Sequence, residues 1–173
     1  MIQTQKNRPV ALVTGGSRGI GAATAHAFAE TGFRVIITHR DSEAGAEEVL
    51  RSLDGTGHRI LQVSASDTAG LQAAAKSVAS HEGRLDVLVN NAATTRVIAH
   101  DDLDGMDDAF FDQIMSTNVR GPFATIRSFR PLLEQAPDGV VINVSSVAAR
   151  TAAGSNVAYS ASKAALDNMT MCL

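Results

Sequence analysis

Several residue types that mark particular protein classes are scarce or absent in this sequence. Its 173 residues include one cysteine, Cys172, and no tryptophan. A single cysteine excludes an internal disulfide and a cysteine-based zinc cluster, and we predict no metal site. Aromatic residues make up 4% of the chain and the formal net charge is −3. A base-stacking platform and a broad basic face are therefore not expected, and we predict no nucleic acid partner.

Long apolar runs are also missing. No stretch approaches the roughly 20 apolar residues that a membrane-spanning helix requires. Residues 1–8 lack the apolar centre and the cleavage pattern of a signal peptide. We therefore predict no membrane partner and a cytoplasmic location. The composition, 45% hydrophobic with charges of both signs, is typical of one globular domain, which we place over residues 1–173.

Patterns typical of strands and helices alternate along the chain. Apolar runs predict five strands, at 10–13, 34–38, 59–63, 85–89 and 139–144. Helices are predicted at 22–28, at 42–53 and at 157–173, and a further helix follows Asp67. Ser42 and Asp67 are candidate N-caps. Residues 104–134 are predicted to form two helical pieces, the second starting near Asn118. This alternation predicts an α/β fold, a Rossmann-type doubly wound parallel sheet with helices on both faces. Ligands of such a sheet bind at the carboxyl ends of its strands.

A glycine-rich stretch, residues 14–21, joins the first predicted strand to the first helix. Gly15 can adopt backbone angles that a side chain forbids, and Gly19 and Gly21 let a pyrophosphate and the helix approach the backbone. The N–H groups that open the helix would then face the anion. A tight turn without a ligand is the alternative. The candidate phosphate-binding residues are Gly15, Ser17, Arg18, Gly19, Ile20 and Gly21.

Tyr159 and Lys163 stand four residues apart in the last predicted helix, so they share one helix face. A tyrosine is a poor base at neutral pH, but a nearby ammonium favours its phenolate form. Such a tyrosine can exchange a proton with an alcohol or an alkoxide. Ser145 and Ser146 follow the fifth strand, where a hydroxyl can bind the reacting oxygen. Ordinary turn chemistry is the alternative for this serine pair.

The order of these motifs resembles that of the short-chain dehydrogenase/reductase family, above all its 3-oxoacyl-acyl-carrier-protein (3-oxoacyl-ACP) reductase-like members. The resemblance covers essentially the whole chain. It implies an oxidoreductase that transfers a hydride from NADPH to the carbonyl of a 3-oxoacyl thioester or a small ketone, or catalyses the reverse oxidation of an alcohol. The matching residues are 14–21, Asn90-Asn91-Ala92-Ala93, Asn118, Asn143-Val144-Ser145-Ser146 and Tyr159-Ser160-Ala161-Ser162-Lys163.

The resemblance implies a role for each catalytic residue. Tyr159 would be the general acid and base, and Lys163 would favour its phenolate and hold the nicotinamide ribose. Ser146, thirteen residues before the tyrosine, would orient the substrate. Asn118 would hold a water that links the lysine to solvent, with helix capping or kinking as the alternative. Asn90 would brace the sheet, and cofactor contacts are expected from Asn91, Ala92, Ala93, Tyr159 and Lys163.

The end of the second strand bears on which nicotinamide cofactor is bound. An acidic residue there binds the ribose hydroxyls of NAD and repels a 2′-phosphate. This chain has His39 at that position, followed by Arg40, and Arg18 lies in the glycine-rich stretch. Because paired guanidinium groups suit a phosphate, we predict NADPH or NADP rather than NADH. The alternative is that Arg40 is an ordinary solvated charge.

The sequence departs from the family pattern at three places. Ala93 replaces a usual glycine, and Ser64 stands where an aspartate commonly contacts the adenine, so Ser64 is expected to make a weaker contact. The chain also lacks the family's last strands, its Pro-Gly loop and its substrate lid, which indicates C-terminal truncation. The alternative function is therefore a truncated, non-catalytic module that binds nucleotide or pairs subunits. Sequencing the coding DNA beyond Leu173 would separate the two functions.

The resemblance also implies that the full-length chain, if one exists, forms a homodimer or homotetramer, paired through the helix after Asn118 and the tyrosine helix. Core packing explains most of the candidate apolar contacts equally well. Residues 94–108 form an irregular stretch without a recognisable substrate pattern. The candidate pairing residues are Phe123, Ile126, Phe129, Leu133 and Leu166.

Overall fold

The computed structural model describes residues 8–151 and 154–173. The interpretation of residues 1–7 as lacking a signal peptide lies outside these ranges. The strands are β1 (Val10–Val13), β2 (Arg34–His39), β3 (Arg59–Gln62), β4 (Val87–Asn90) and β5 (Val140–Asn143). The α-helices are α1 (Gly19–Glu30), α2 (Glu43–Ser52), α3 (Thr68–His81), α4 (Asp108–Met115), α5 (Gly121–Leu133) and α6 (Val157–Cys172).

The described strands form one parallel sheet in the order β3-β2-β1-β4-β5. In the register, Val13 pairs with both Ile37 and Val89, and Asn90 pairs with Asn143. The chain therefore leaves β1 in one direction across the sheet and later returns to add β4 on its other side. In such a sheet, the crevice between the carboxyl ends of these two strands is where a ligand fits.

Two apolar clusters lie on opposite faces of the sheet, which confirms the predicted doubly wound architecture. The first cluster joins Leu12 and Leu88 of the sheet to Leu71 of α3 and Phe129 of α5. The second joins residues of β1 and β2 to α1 and α2, and its members include Val13, Ala25, Ile37 and Val49. Phe129, Leu133 and Leu166, which were considered for subunit pairing, are buried within the chain, whereas Phe123 is exposed.

The region from 104 to 134 is more continuous than predicted. Asn118 does not begin a new helix but lies in a π-helical turn, Ser116–Arg120, which joins α4 directly to α5. Pro122 occupies the first turn of α5, as predicted. Because proline has no N–H, it cannot donate to the carbonyl of Asn118 four residues earlier, which favours the wider turn.

Other differences concern the ends of elements. Asp67 caps α3 by accepting from the backbone N–H of Gly70 at 3.0 Å, as predicted, but Ser42 makes no capping hydrogen bond to α2. β4 begins at Val87 rather than at Leu85, whose N–H donates to the carbonyl of Leu132 in α5. Among the described helices, none combines the length and the hydrophobicity needed to cross a bilayer.

Candidate active site

The loop between β1 and α1 is shaped by its glycines. Gly15 has φ +66°, in the left-handed region, and the N–H of Gly16 donates to the carbonyl of Thr38 at 3.0 Å. A Cβ atom added at Gly21 would lie 2.3 Å from the carbonyl oxygen of Gly15. The first turn of α1 therefore packs directly on the loop backbone, which requires glycine at position 21.

Thr14 and Asn91 hold this loop against the end of β4. The hydroxyl oxygen of Thr14 accepts from the N–H groups of Asn91 and Ala92, each at 3.0 Å. The side-chain amide of Asn91 donates to the carbonyls of Thr14 at 2.9 Å and Gly15 at 3.2 Å. These bonds place Asn91, Ala92 and the glycine-rich loop together at the crevice. The side-chain amide of Asn91 is used to bind the loop backbone.

The start of α1 fits an anionic group. Arg18 is the N-cap residue in an extended conformation, and no side chain caps the helix. Arg18, Gly19 and Ile20 are exposed, and a Cβ atom added at Gly19 would meet nothing within 4 Å. Uncapped N–H groups at the positive end of a helix bind phosphate well. The described residues therefore fit the pyrophosphate of a dinucleotide at this turn.

The residues predicted to bind the adenosine end of the cofactor lie at the end of β2 and just after β2 and β3. Arg40 is exposed and forms an ion pair with Asp41. The His39 ring is buried, and its Nδ1 has no hydrogen-bond partner among the described residues. The Ser64 hydroxyl is hydrogen-bonded to that of Ser66 at 2.9 Å. Of these three residues, Arg40 is therefore the one that presents a cation at the protein surface. The His39 side chain is buried beneath that surface.

Helix α6 carries Tyr159 and Lys163 on one face. The Lys163 side chain is 3% exposed, and its Nζ lies 5.7 Å from the centre of the Tyr159 ring. That ammonium donates to the carbonyl of Val144, just after β5, at 2.7 Å. Burial lowers the pKa of Lys163 below its ordinary value, and the nearby Asp167 carboxylate opposes this shift. The lysine is thus fixed beside the tyrosine at the carboxyl edge of the sheet.

Asn118 links the π-helical turn to two other parts of the site. Its side-chain oxygen accepts from the N–H of Thr94 at 2.8 Å, and its amide donates to the carbonyl of Thr94 at 3.0 Å. The same amide donates to the Ser162 hydroxyl at 3.1 Å, which in turn donates to the carbonyl of Tyr159 at 2.7 Å. Asn118 therefore connects the chain after β4 to the tyrosine helix.

The two serines after β5 have different partners. The Ser146 hydroxyl oxygen accepts from the N–H of Ala148 at 3.2 Å and so caps a short 3-10 helix, Val147–Ala149. Because this bond uses only the oxygen, the hydroxyl proton remains available to an acceptor. Ser145 donates to the carbonyl of Lys163 at 3.5 Å, a long hydrogen bond toward the tyrosine helix. Asn90, as expected, braces the sheet by donating to Asn143 at 2.9 Å.

Asn156 is a site residue that the motifs above do not include. Its side-chain oxygen accepts from the N–H of Tyr159 at 2.7 Å and caps α6. Its amide donates to the carbonyl of Arg96 at 2.7 Å and to the Thr95 hydroxyl at 3.1 Å. An asparagine three residues before the tyrosine of a predicted helix is a capping signal that could have identified it.

Proteins of known family are similar to this chain in sequence and in fold. The family model described as short chain dehydrogenase matches residues 9–173. The D-threitol dehydrogenase of Mycolicibacterium smegmatis is 38% identical over 156 residues, which cover 89% of this chain and 58% of that protein. The 3-oxoacyl-ACP reductase of rhamnolipid biosynthesis in Pseudomonas aeruginosa is 37% identical over 169 residues, with coverage of 95% and 65%.

A solved structure agrees with these matches. The crystal structure of a short chain dehydrogenase from Burkholderia cenocepacia in complex with NADP superimposes with a TM-score of 0.86 at 33% identity. The match covers 97% of this chain and 67% of that one. The chain spans 58% of the length of the D-threitol dehydrogenase and 65% of the length of the 3-oxoacyl-ACP reductase.

Proposed function

Because this chain belongs to the short-chain dehydrogenase family, we propose that it is an NADPH-dependent oxidoreductase that reduces a carbonyl group to an alcohol and catalyses the reverse oxidation. The substrate is a 3-oxoacyl thioester or a small ketone, in keeping with the name of the Pseudomonas relative. For a full-length chain, the proposed active form is a homodimer or homotetramer. The observation that supports the proposal best is the buried Lys163 ammonium, held 5.7 Å from the Tyr159 ring.

The chemistry follows from these two side chains and their neighbours. The hydride for the carbonyl carbon would come from bound NADPH. Tyr159 gives its hydroxyl proton to the carbonyl oxygen, so that the C=O group becomes a CH–OH group. The Lys163 ammonium stabilises the negative charge left on the tyrosine oxygen. The Ser146 hydroxyl donates to the substrate oxygen and holds it near Tyr159.

The cofactor would be held along the crevice between β1 and β4. The uncapped N–H groups at the start of α1 bind its pyrophosphate, next to Gly15, Ser17, Gly19 and Gly21. Arg18 and Arg40 bind the 2′-phosphate as cations, and both residues are exposed. Arg40 would exchange its ion pair with Asp41 for the phosphate. Ser64 contacts the adenine, and Ala92 and Ala93 contact the ribose.

The test is NADPH oxidation with the acetoacetyl thioester of N-acetylcysteamine. Tyr159→Phe removes the proton donor and keeps the ring, so kcat should fall by roughly 10²- to 10⁴-fold while NADPH still binds. Ala161→Ser, at an exposed position of the same helix, is the matched control and should be fully active. Equal turnover by Tyr159→Phe and the control would refute the assigned role. NADPH binding without any turnover by the unmodified chain would favour the non-catalytic nucleotide-binding module.

A further inference from the structure

The π-helical turn Ser116–Arg120 ends in an arginine to which no role has been assigned above. The Arg120 guanidinium donates three hydrogen bonds, although the residue is exposed. The acceptors are the Ser66 carbonyl at 3.1 Å, the Thr68 hydroxyl at 3.4 Å and the Ser116 hydroxyl at 2.5 Å. Two of these bonds reach residues 54 and 52 positions earlier in the chain, in the segment that joins β3 to α3.

That segment contains a compact turn, residues 64–67. The Ser64 carbonyl accepts from the N–H of Asp67 at 3.0 Å, and the Ser64 hydroxyl accepts from the N–H of Ser66 at 3.3 Å. Asp67 then caps α3. Because each of these bonds lies within the segment, they give the turn its shape, whereas its position relative to the rest of the crevice depends on contacts from outside.

A second contact joins the same two parts of the molecule. Gly121, the residue after Arg120, is buried and lies against Ala65 in the middle of the turn 64–67. A Cβ atom added at Gly121 would lie 3.0 Å from the carbonyl oxygen of Ala65 and 3.3 Å from its Cβ atom. The turn therefore packs on the backbone of Gly121 while Arg120 binds the next residue of the turn.

The π-helical turn also contacts the catalytic end of the proposed site. Asn118, two residues before Arg120, is buried and binds the N–H of Thr94 and the hydroxyl of Ser162 in the tyrosine helix. One turn of five residues thus contacts both ends of the site. Asn118 binds the catalytic end, and Arg120 binds the segment that contains Ser64, the residue proposed to contact the adenine.

We infer that Arg120 is a positioning residue for the cofactor, which holds the turn 64–67 where Ser64 can contact the adenine. The inference rests on the proposed function and concerns the adenosine end of its cofactor site. Arg120 acts through the turn and not by contact with the ligand. Because Asn118 keeps its own bonds when Arg120 is replaced, the replacement should weaken cofactor binding and leave the catalytic end in place.

The first test measures binding and needs no turnover. Adenosine 2′,5′-bisphosphate, which carries the adenosine end alone, is titrated into the protein by calorimetry. Arg120→Ala should weaken its binding roughly tenfold, because the turn loses two hydrogen bonds from outside. Arg51→Ala removes an exposed arginine of α2 and should leave the affinity unchanged.

Arg120→Lys separates position from charge. It keeps the positive charge but lacks the planar fork of donors that spans several acceptors, so it should recover only part of the affinity. Full recovery in Arg120→Lys would assign the effect to charge and overturn the inference. Equal affinities of Arg120→Ala and Arg51→Ala would overturn it as well. If the unmodified protein does not bind the bisphosphate, the inference fails together with the proposed adenosine site.

Hydrogen exchange shows where the structure changes. The Asp67 amide, which is bonded to Ser64, should exchange roughly fivefold faster in Arg120→Ala. The Thr94 amide, which is bonded to Asn118 at 2.8 Å, should keep its rate. Gly121→Ala crowds the same turn from its other contact and should give the same pattern, which also covers the case that Arg120→Ala does not fold. Faster exchange of both amides, or of neither, would contradict the inference.

A kinetic test separates the inference from the proposed reductase. With the acetoacetyl thioester of N-acetylcysteamine, Arg120→Ala should raise the KM for NADPH roughly tenfold and leave kcat within about twofold. A lower kcat with an unchanged KM would place the effect at the catalytic end and overturn the inference. Weaker bisphosphate binding by Arg120→Ala, without turnover by the unmodified chain, would overturn the reductase and still support the positioning role.

Discussion

The side-chain amide of Asn118 donates to the hydroxyl of Ser162 at 3.1 Å, across 44 residues of chain. Both residues are buried, and Ser162 precedes Lys163 in α6. The π-helical turn is thereby attached to the tyrosine helix next to the proposed catalytic pair. Displacement of this turn would move the helix that carries both residues.

Asn118→Ala should reduce both stability and turnover. It removes the hydrogen bonds to the N–H and carbonyl of Thr94 and the donor to the Ser162 hydroxyl, which keeps only its bond to the carbonyl of Tyr159. The free energy of unfolding in urea should fall by about 1–3 kcal/mol. Thr117→Ala, on the same turn, is the control and should remain close to the unmodified protein. Equal unfolding free energies for the two variants would contradict the linking role.

Lys163 should make the free energy of unfolding depend on pH in the alkaline range. Because burial lowers its pKa in the folded state below the ordinary 10.5, the unfolded state binds this proton more tightly. The free energy of unfolding should therefore rise with pH between the folded-state pKa and 10.5. Lys163→Met should remove that rise in urea titrations at several pH values, whereas exposed Lys76→Met should keep it. A rise of the same size in Lys163→Met would assign it to another group.

The two roles of the Asn156 side chain should be separable by substitution. One is the cap of α6, and the other is the hydrogen bonds of its amide to Thr95 and Arg96, which we call the loop tether. Asn156→Ala removes both and should lower the free energy of unfolding by about 1–3 kcal/mol. Asn156→Ser keeps a capping oxygen but is too short to reach the carbonyl of Arg96, so it should recover only the capping part. Hydrogen exchange of the Ile98 amide, which is bonded to Ser155, should be faster in both variants. Unchanged protection of this amide in Asn156→Ser would show that the tether is dispensable.

Gly21→Ala should damage the glycine-rich loop. The added Cβ would lie 2.3 Å from the carbonyl oxygen of Gly15, so the loop or the helix must shift. Overpacking of this kind costs about 1–3 kcal/mol in unfolding free energy, and NADPH affinity should fall with the altered loop. Ala23→Ser, an exposed substitution in the same helix, is the matched control. Calorimetric titration with NADPH measures the effect, and equal affinities would rule out the packing argument.

Arg40 should discriminate between the two nicotinamide cofactors. Arg40→Ala removes a cation from the end of β2, and we expect roughly tenfold weaker binding of NADPH with little change for NADH. Arg51→Ala removes another exposed arginine, one whose nearest carboxylate is Glu47 at 3.8 Å, and should change neither affinity. Equal losses for both cofactors in Arg40→Ala would argue against a 2′-phosphate contact.

The fold was predictable because its strands are short apolar runs separated by helical periodicity. Buried parallel strands need no alternation, and the run 10–13 is too short for a helix and is followed by glycines, so it indicates β1. The start of β4 could not be located in this way, because Leu85 is as apolar as a strand residue but its N–H donates to the carbonyl of Leu132 in α5. Such boundaries depend on tertiary hydrogen bonds that no local pattern contains.

The candidate site was predictable in its residues but not in their partners. The four-residue spacing places Tyr159 and Lys163 on one helix face, whatever surrounds them. The bond from Lys163 to Val144, and those from Asn118 to Thr94 and Ser162, join segments far apart in sequence. The same limit applies to Asn91, for which the family resemblance implies a cofactor contact, whereas the structure shows its side-chain amide donating to carbonyls of the glycine-rich loop.

The π-helical turn Ser116–Arg120 also fixes the rotational phase of the helix that follows it. Each residue of an α-helix turns the chain by about 100°, so deleting one residue here would rotate α5 by that angle relative to α4. Ile114 before the turn and Phe129 after it are both buried, and after such a rotation they would no longer point into the interior together. The number of residues in this segment is therefore as constrained as their identity, and the loss of a single codon would turn part of the buried side of α5 toward solvent.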